Sequence, residues 1–548
     1  MKKVVIVGGV AGGASAAARL RRLCEKDHIV MFERGEYISF ANCGLPYYIG
    51  EVISDRQKLL IQTVKGMSKR FQLDIRHLSE VTKINREKKT VTVKKVLSGE
   101  EYEESYDVLI LSPGAKPIVP SISGINEAKN IFTLRTVPDT DQIKAFVDNQ
   151  KPKHAVVIGG GFIGVEMAEN LVERGVNVTL VEMANQVMAP LDFEMASIVH
   201  THIREKGVQL ILEDGVKAFK NEGRQIVLNS GVTLETDMIV LAIGVSPENQ
   251  LAKDTGLELG IRGAIKVNEH LQTSDPNIYA IGDAIEVKNY IHGFETFVPL
   301  AWPANRQGRL VADHINGRDV KYNGTLGTSI AKIFDLTVAT TGNNEKILKQ
   351  HSIPYEVIHI HPLHHAGYYP GAKQMTLKVI FDQKTGKIFG AQAVGEEGVD
   401  KRIDVIATAI KGGLTVMDLP DLELSYAPPF SSAKDPVNMA GYVASNIVEG
   451  DVETVQWHEI DEIIANGGTL IDVRTPVEFK NGAIKGSINI PLDDLRERLN
   501  EMPKAETIYV TCQVGLRGYL ATRILKENGY KVKNLDGGYK LYSAVFGS

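Results

Sequence analysis

A chain of 548 residues exceeds what one hydrophobic core fills, so three or four domains are expected. Its make-up, 43% hydrophobic and 24% charged with 51 glycines, is that of a folded protein with many tight turns. A net charge of −5 excludes a global basic field for nucleic acid, and no run of 18 apolar residues marks a membrane span.

The first segment, "KVVIV" at 3–7, reads as a buried strand, followed by "GGVAGG" and a helix through Arg22. The opening imitates a signal peptide, but its glycines fall where a strand turns into a helix, and a cytoplasmic location is expected. A second strand, "IVMFE", ends in Glu33, 20 positions after Gly13. This is the start of a dinucleotide-binding βαβ unit: Gly8, Gly9, Gly12 and Gly13 let backbone approach a pyrophosphate, and Glu33 accepts from ribose hydroxyls. Val10 replaces the middle glycine of the usual pattern, which weakens the motif.

"SFANCGLPYY" follows, with Cys43 as its single cysteine; the others in the chain are Cys24 and Cys512. Three cysteines do not make a disulfide scaffold and suggest a reducing compartment. A thiol works as thiolate, and the position of Cys43 after "YISFAN" and before Gly44 suggests a strand leading to a helix N-terminus that lowers its pKa. Cys24, in "RLRRLCEK", reads as packing.

"HAVVIGGGFIGVEMAENLVERGVNVTLVE" is a cleaner unit: strand, Gly159-x-Gly161-x-x-Gly164, helix, strand and Glu182. An acid at that strand end favours NADH over NADPH. "LILSPGAKP" (109–117) and "IVLAIGVSPEN" (239–249) read as crossovers between two domains, and a strand in "TSDPNIYAIGDAIEV" runs into Gly282-Asp283. Residues 325–445 alternate strands and helices without a nucleotide loop. His364 and His365 lack flanking acidic or cysteine ligands, and no metal is expected there. A polar linker is expected over 446–456. Beyond it, "LIDVRTPVEFKNGAIKGSINIPL", "TIYVTCQVGLRG" and "NLDGGYKLY" form a compact α/β unit. Cys512 ends a strand there and Arg517 closes a six-residue loop whose amides make an anion nest over the sulfur.

Over roughly 1–445 the chain resembles the pyridine nucleotide–disulfide oxidoreductases. It lacks their paired cysteines, and "SFANCGLPYYIGE" is most similar to the single-cysteine coenzyme A disulfide reductases. The C-terminal unit, with Asp472-Val473-Arg474, Glu478-Phe479 and "CQVGLRG", resembles a rhodanese domain. The resemblance implies an α/β fold of two Rossmann-like domains, an α+β dimerisation domain and a small α/β rhodanese domain. The expected boundaries are 1–120 with 245–322 for FAD, 121–244 for NAD(P)H, 323–445 for dimerisation, 446–456 for the linker and 457–548 for the rhodanese.

It further implies FAD and NAD(P)H as cofactors. Ala11, Arg34, Asn42, Cys43, Pro113, Gly114, Gly282 and Asp283 join the first cradle, with Phe162 and Ile163 in the second. Coenzyme A would be held by Ser15, Arg19, Arg22, Ser39, Asn42 and Lys434. In a homodimer with sites completed across the interface, Tyr426 and Tyr368 (preferred to Tyr369) would reach the partner's cysteine and protonate the leaving thiolate. Cys512 would carry a persulfide, with Arg517 holding the sulfur donor's anionic group or the domain's own acids. The expected activity is reduction of CoA disulfide or CoA persulfide at Cys43, coupled to sulfur transfer. Two alternatives stand beside it. One is an NADH oxidase or peroxidase, which is disfavoured because Ala11 occupies the position of that branch's loop histidine. The other is a redox-sensing flavoprotein with a rhodanese-like binding module.

Overall fold

The computed structural model describes residues 1–547 and divides into two compact units, 1–184 with 207–327 and 185–206 with 328–548. In the first unit, a five-stranded parallel sheet runs Ile278–Ala280, Val108–Leu111, Lys3–Val7, His28–Phe32, Asp74–Arg76. Its central strand is apolar because both faces are covered, as a parallel sheet requires. Helix Ala11–Leu23 covers one face and packs on helix Ala301–Ile315 through small residues: a Cβ on Gly308 would strike the Gly12 carbonyl. A second parallel sheet orders Gln209–Ile211, Asn177–Val181, His154–Ile158, Met238–Leu241, Ile131–Phe132. The two segments read as crossovers are hydrogen-bonded to each other: Ala115–Pro117 pairs antiparallel with Val245–Pro247.

In the second unit, an antiparallel sheet orders Ser329–Ile333, Leu336–Gly342, Ile388–Gly395, Met375–Phe381, Glu356–Ile360. A parallel sheet of the C-terminal domain orders Thr454–Val455, Lys531–Leu535, Thr507–Thr511, Thr469–Asp472, Ile488–Asn489. The stretch 446–456 is a shorter connection than its polarity suggests. Helix Pro436–Val448 takes its start, and Thr454–Val455 joins the C-terminal sheet with Val452 and Val455 buried. Helix Phe193–Glu205, expected with the nucleotide-binding region, belongs to this second unit and packs on the final helix Gly538–Phe546. No helix among the described residues is long and apolar enough to cross a membrane.

A buried ionic cluster lies in this unit. Lys378 Nζ stands 2.9 Å from Asp192 Oδ2 and 2.5 Å from Glu194 Oε1, and it also pairs with Glu345. Burial alone would lower the Lys378 pKa, but Glu194, Asp192 and Glu345 raise it well above the usual lysine value. Glu194 also meets His359 Nε2 at 3.1 Å, and His359 Nδ1 lies 2.5 Å from Asp536 Oδ2.

Candidate active site

Both glycine turns sit where a central strand meets a helix. A Cβ on Gly13 would overlap the Gly8 carbonyl, and one on Gly164 the Gly159 carbonyl, so each helix starts hard against its turn. Nothing lies within 4 Å of where a Gly161 Cβ would be, which leaves that backbone open to a ligand. Phe162 and Ile163 open helix Phe162–Glu173 beside it, half-buried. Val10 is accommodated because its φ of −94° needs no glycine, and Ala11 begins the helix.

The acid after each second strand is fixed by amides. Glu33 accepts from Gly9 and Gly35 N, each at 2.8 Å, and Glu182 accepts from Gly160 N at 2.7 Å and Ala184 N at 2.8 Å. These carboxylates still carry lone pairs for ribose hydroxyls. Arg34 reaches Glu248 Oε2 at 3.3 Å, and the Pro113 carbonyl accepts from Arg135 Nη2 at 3.0 Å just before the left-handed Gly114. Gly282 N donates to Gln307 Oε1 at 2.7 Å, which fixes the turn that presents Asp283. Burial pushes the Asp283 carboxyl up to about 6 against the pull of Arg135, so hydroxyls donated there would be favourable. These residues fit two dinucleotides.

Cys43 lies in a 3₁₀ turn, Asn42–Gly44, that leads into helix Leu45–Ile49, and its residue surface is open. "YISFAN" is not a strand; Phe40 makes a single bridge to Leu60. Nor is the thiol lowered as expected. Burial of the sulfur, then Glu166, then Asp283, raise its pKa. Burial and Glu169 in turn push Glu166 up to about 7, while a hydrogen bond with Tyr47 opposes the rise. Sequence reasoning missed Glu166 and Tyr47. The signal was present in "GVEMAE", where two acids three residues apart share a helix face directly after a glycine turn. Glu166→Gln removes a charge that disfavours thiolate, so Cys43 will titrate at lower pH. The check is the pH dependence of Cys43 alkylation in the FAD-loaded Cys24→Ser/Cys512→Ser protein, with a gain of about threefold or more near pH 7.

The residues expected at coenzyme A divide. Arg22 and Asn42 are exposed, and Ser15 donates to Asn305 Oδ1 at 2.6 Å. Arg19, by contrast, is held by Asp313, with Nε at 2.8 Å and Nη2 at 2.6 Å from Oδ1, so its charge is already answered within the protein. Arg21 is buried and donates to four carbonyls, those of Phe71, Gln72, Cys24 and Glu25. Ser39 has a left-handed φ of 43°, and its amide donates to the Gly9 carbonyl at 2.9 Å. It therefore shapes the loop between the glycine turn and Cys43.

In the second unit, Tyr368 Oη and Tyr426 Oη are 2.8 Å apart and exposed; Tyr369, also exposed, sets its ring edge-on to His365 instead. Exposed Lys434 stands 5.8 Å over the Tyr442 ring.

Cys512 is buried at the end of Thr507–Thr511, and its sulfur accepts from Gly515 N at 3.1 Å. Gly515 precedes helix Leu516–Glu527, so a helix N-terminus also faces the loop. Of the two roles weighed for Arg517, the structure supplies the internal one: it grips Glu478 through two bonds, 2.8 and 2.6 Å, and holds that carboxyl down to about 2. Beneath the loop, buried Arg474 binds Asp472 and donates to Gln513 Oε1 at 3.1 Å.

A parallel two-sheet reductase body with glycine cradles and a nearby thiol, followed by an antiparallel domain, defines a flavin-dependent pyridine-nucleotide oxidoreductase. The chain belongs to the pyridine nucleotide-disulphide oxidoreductase family: that family's model matches residues 2–308, its dimerisation domain 328–436, and a rhodanese-like domain 456–544. The family works with FAD and NAD(P)H, in agreement with the two cradles. Among curated relatives, the coenzyme A disulfide reductase of Staphylococcus epidermidis is 38% identical over 447 residues, 81% of this chain and 100% of that protein. The crystal structure of reduced Bacillus anthracis CoADR-RHD matches with a TM-score of 0.99 at 69% identity, covering 100% of this chain and 98% of that one. A NAD-dependent persulfide reductase from A. fulgidus matches with a TM-score of 0.92 at 37% identity, covering 98% of this chain and 100% of that one.

Proposed function

We propose that the chain is an NAD(P)H-dependent coenzyme A disulfide and CoA persulfide reductase whose rhodanese domain carries sulfur on Cys512. The observation that carries the reading is the solitude of Cys43, an open thiol beside a dinucleotide cradle in a chain whose three cysteines are all free. With no resolving cysteine, any disulfide formed at Cys43 must take its second sulfur from the substrate.

In the proposed reaction, the Cys43 thiolate attacks CoA disulfide, forming a Cys43–CoA mixed disulfide and releasing one CoA thiolate. With CoA persulfide the same attack on the CoA-bound sulfur expels sulfide. Residues 1–120 and 245–322 would hold FAD and residues 121–244 the nicotinamide nucleotide, and the pair would supply two electrons as hydride equivalents. Two electrons and a proton return the mixed disulfide to Cys43 thiolate and CoA thiol. Glu166, at the wall of the Cys43 site, is the group poised to hold or give up a proton near neutral pH. Tyr426 and Tyr368, one hydrogen bond apart, are proposed to protonate the departing CoA across a homodimer built on 323–445. Arg22, Ser15, Asn42 and Lys434 are the coenzyme A contacts this reading retains. Arg19 enters only if Asp313 releases it, and Ser39 acts through the loop. Glu182 favours NADH.

Steady-state NADH oxidation with CoA disulfide, CoA persulfide, polysulfide and peroxide in one preparation tests the reading. Turnover is expected on the CoA substrates, with peroxide at least about tenfold slower. Peroxide turnover above both CoA substrates would revive the peroxidase alternative and overturn this one.

A further inference from the structure

We infer that His361 and His359 of the dimerisation domain are positioning residues for the Cys512 loop, so that this domain sets the geometry of the sulfur-carrying site. The inference rests on the sulfur-carrier reading of Cys512 for its function, though not for its geometry.

The back of the loop is fastened to the first turn of the final helix. Tyr539 N donates to the Cys512 carbonyl at 2.8 Å and Lys540 N to the Gln513 carbonyl at 3.0 Å. The chain reaches that turn through Asp536, Gly537 and Gly538. Both glycines are left-handed, with φ of 69° and 62°, and a Cβ on Gly538 would stand 2.5 Å from the Cys512 carbonyl. The approach therefore has no slack.

Asp536 and Gly537 are the residues held from outside. His359, in strand Glu356–Ile360, donates its amide to Asp536 Oδ1 at 3.0 Å and its Nδ1 lies 2.5 Å from Oδ2. His361, two residues on, places Nε2 3.0 Å from the Gly537 carbonyl. A carbonyl only accepts, so His361 carries its proton on Nε2, while Nδ1, 2.9 Å from Thr376 Oγ1, accepts the hydroxyl. Burial and the nearby Lys540, with His359 adding less, keep His361 neutral, down to about 3. Burial would do the same to His359, but Asp536 and Glu194 outweigh it and Lys378, and hold it protonated up to about 9. A neutral donor and a charged donor thus grip adjacent residues, and from each the path to the Cys512 loop is a few bonds long. On the other side, Arg474 lies 4.1 Å over the Tyr539 ring and bonds Gln513, so the same turn is clamped from within the rhodanese domain. The loop amides can face the sulfur, as Gly515 N does, only while this turn is fixed.

The test uses full-length, FAD-loaded protein and reads Cys512 by site-resolved mass spectrometry in two assays: alkylation by iodoacetamide, and persulfide loading from thiosulfate. His361→Ala is expected to slow both at Cys512 by about fivefold. His361→Gln, whose amide N–H still reaches Gly537, should restore most of the loss, and Cys43 alkylation should stay at the wild-type rate. His359→Gln, which keeps bulk but loses the charge, provides a second variant should alanine prevent folding, and is expected to slow Cys512 likewise. Cys512 rates within about twofold of wild type in both His361→Ala and His359→Gln would overturn the inference. If wild-type Cys512 takes no sulfur from thiosulfate while His361→Ala still slows alkylation, positioning stands and the sulfur-carrier reading loses its support.

Discussion

Cys43→Ser is expected to abolish NADH-dependent reduction of both CoA disulfide and CoA persulfide, by about a thousandfold or more, while NADH still bleaches the flavin. A serine hydroxyl cannot form the mixed disulfide on which the reaction turns, and neither Cys24 nor Cys512 is set to replace it. Cys24 is half-buried with its carbonyl tied to Arg21, and Cys512 belongs to the rhodanese loop. The measurement is stopped-flow absorbance for the flavin half-reaction beside steady-state turnover. Full turnover in the serine variant would remove the thiol from the mechanism and with it the central proposal.

The second large effect is on stability. Lys378→Ala leaves buried Asp192 and Glu194 and half-buried Glu345 with their shared cation gone, and breaking such a network costs about 3–5 kcal/mol. Circular dichroism or calorimetry at neutral pH should show a fall of several degrees in the transition of the second unit. The deficit should shrink as acid protonates the carboxylates. Glu194 and Glu345 are held low, Glu345 at about 2, because Lys378 outweighs the burial that would raise them, so the stability these two lend is present above their unfolded values and lost as pH falls through the folded ones. A deficit that does not depend on pH would mean that lost packing, rather than stranded charge, carries the cost.

Much of this was readable in advance because the motifs are local. Strand Lys3–Val7, helix Ala11–Leu23 and Glu33 follow one another within a single βαβ unit, as do Gly159, Gly164 and Glu182. Cys512 and Arg517 likewise fall in one loop. What stayed hidden depends on residues far apart in sequence. Arg19 looks free until Asp313, 294 positions away, meets it. Cys43 looks activated by a helix until the fold buries its sulfur and brings Glu166 and Asp283 near. The grip of His359 on Asp536 spans 177 positions, and no spacing rule links them. The connection at 446–456 hides its structure for a different reason: Thr454–Val455 is too short to show a period, though it joins a sheet.

The grip of His359 also bears on what a shortened protein would have to solve. Glu356–Ile360 is the outermost strand of its sheet, four of its five residues are buried, and the His359 amide finishes its bonding on Asp536. A chain ending near residue 447, the length shared with the staphylococcal reductase, would bare an apolar strand border with an unmet amide. Such a border recruits other strands and seeds aggregation. A truncated form would therefore need a charged or proline-bearing substitution along 356–360 to remain dispersed at high concentration, even if its redox chemistry were intact.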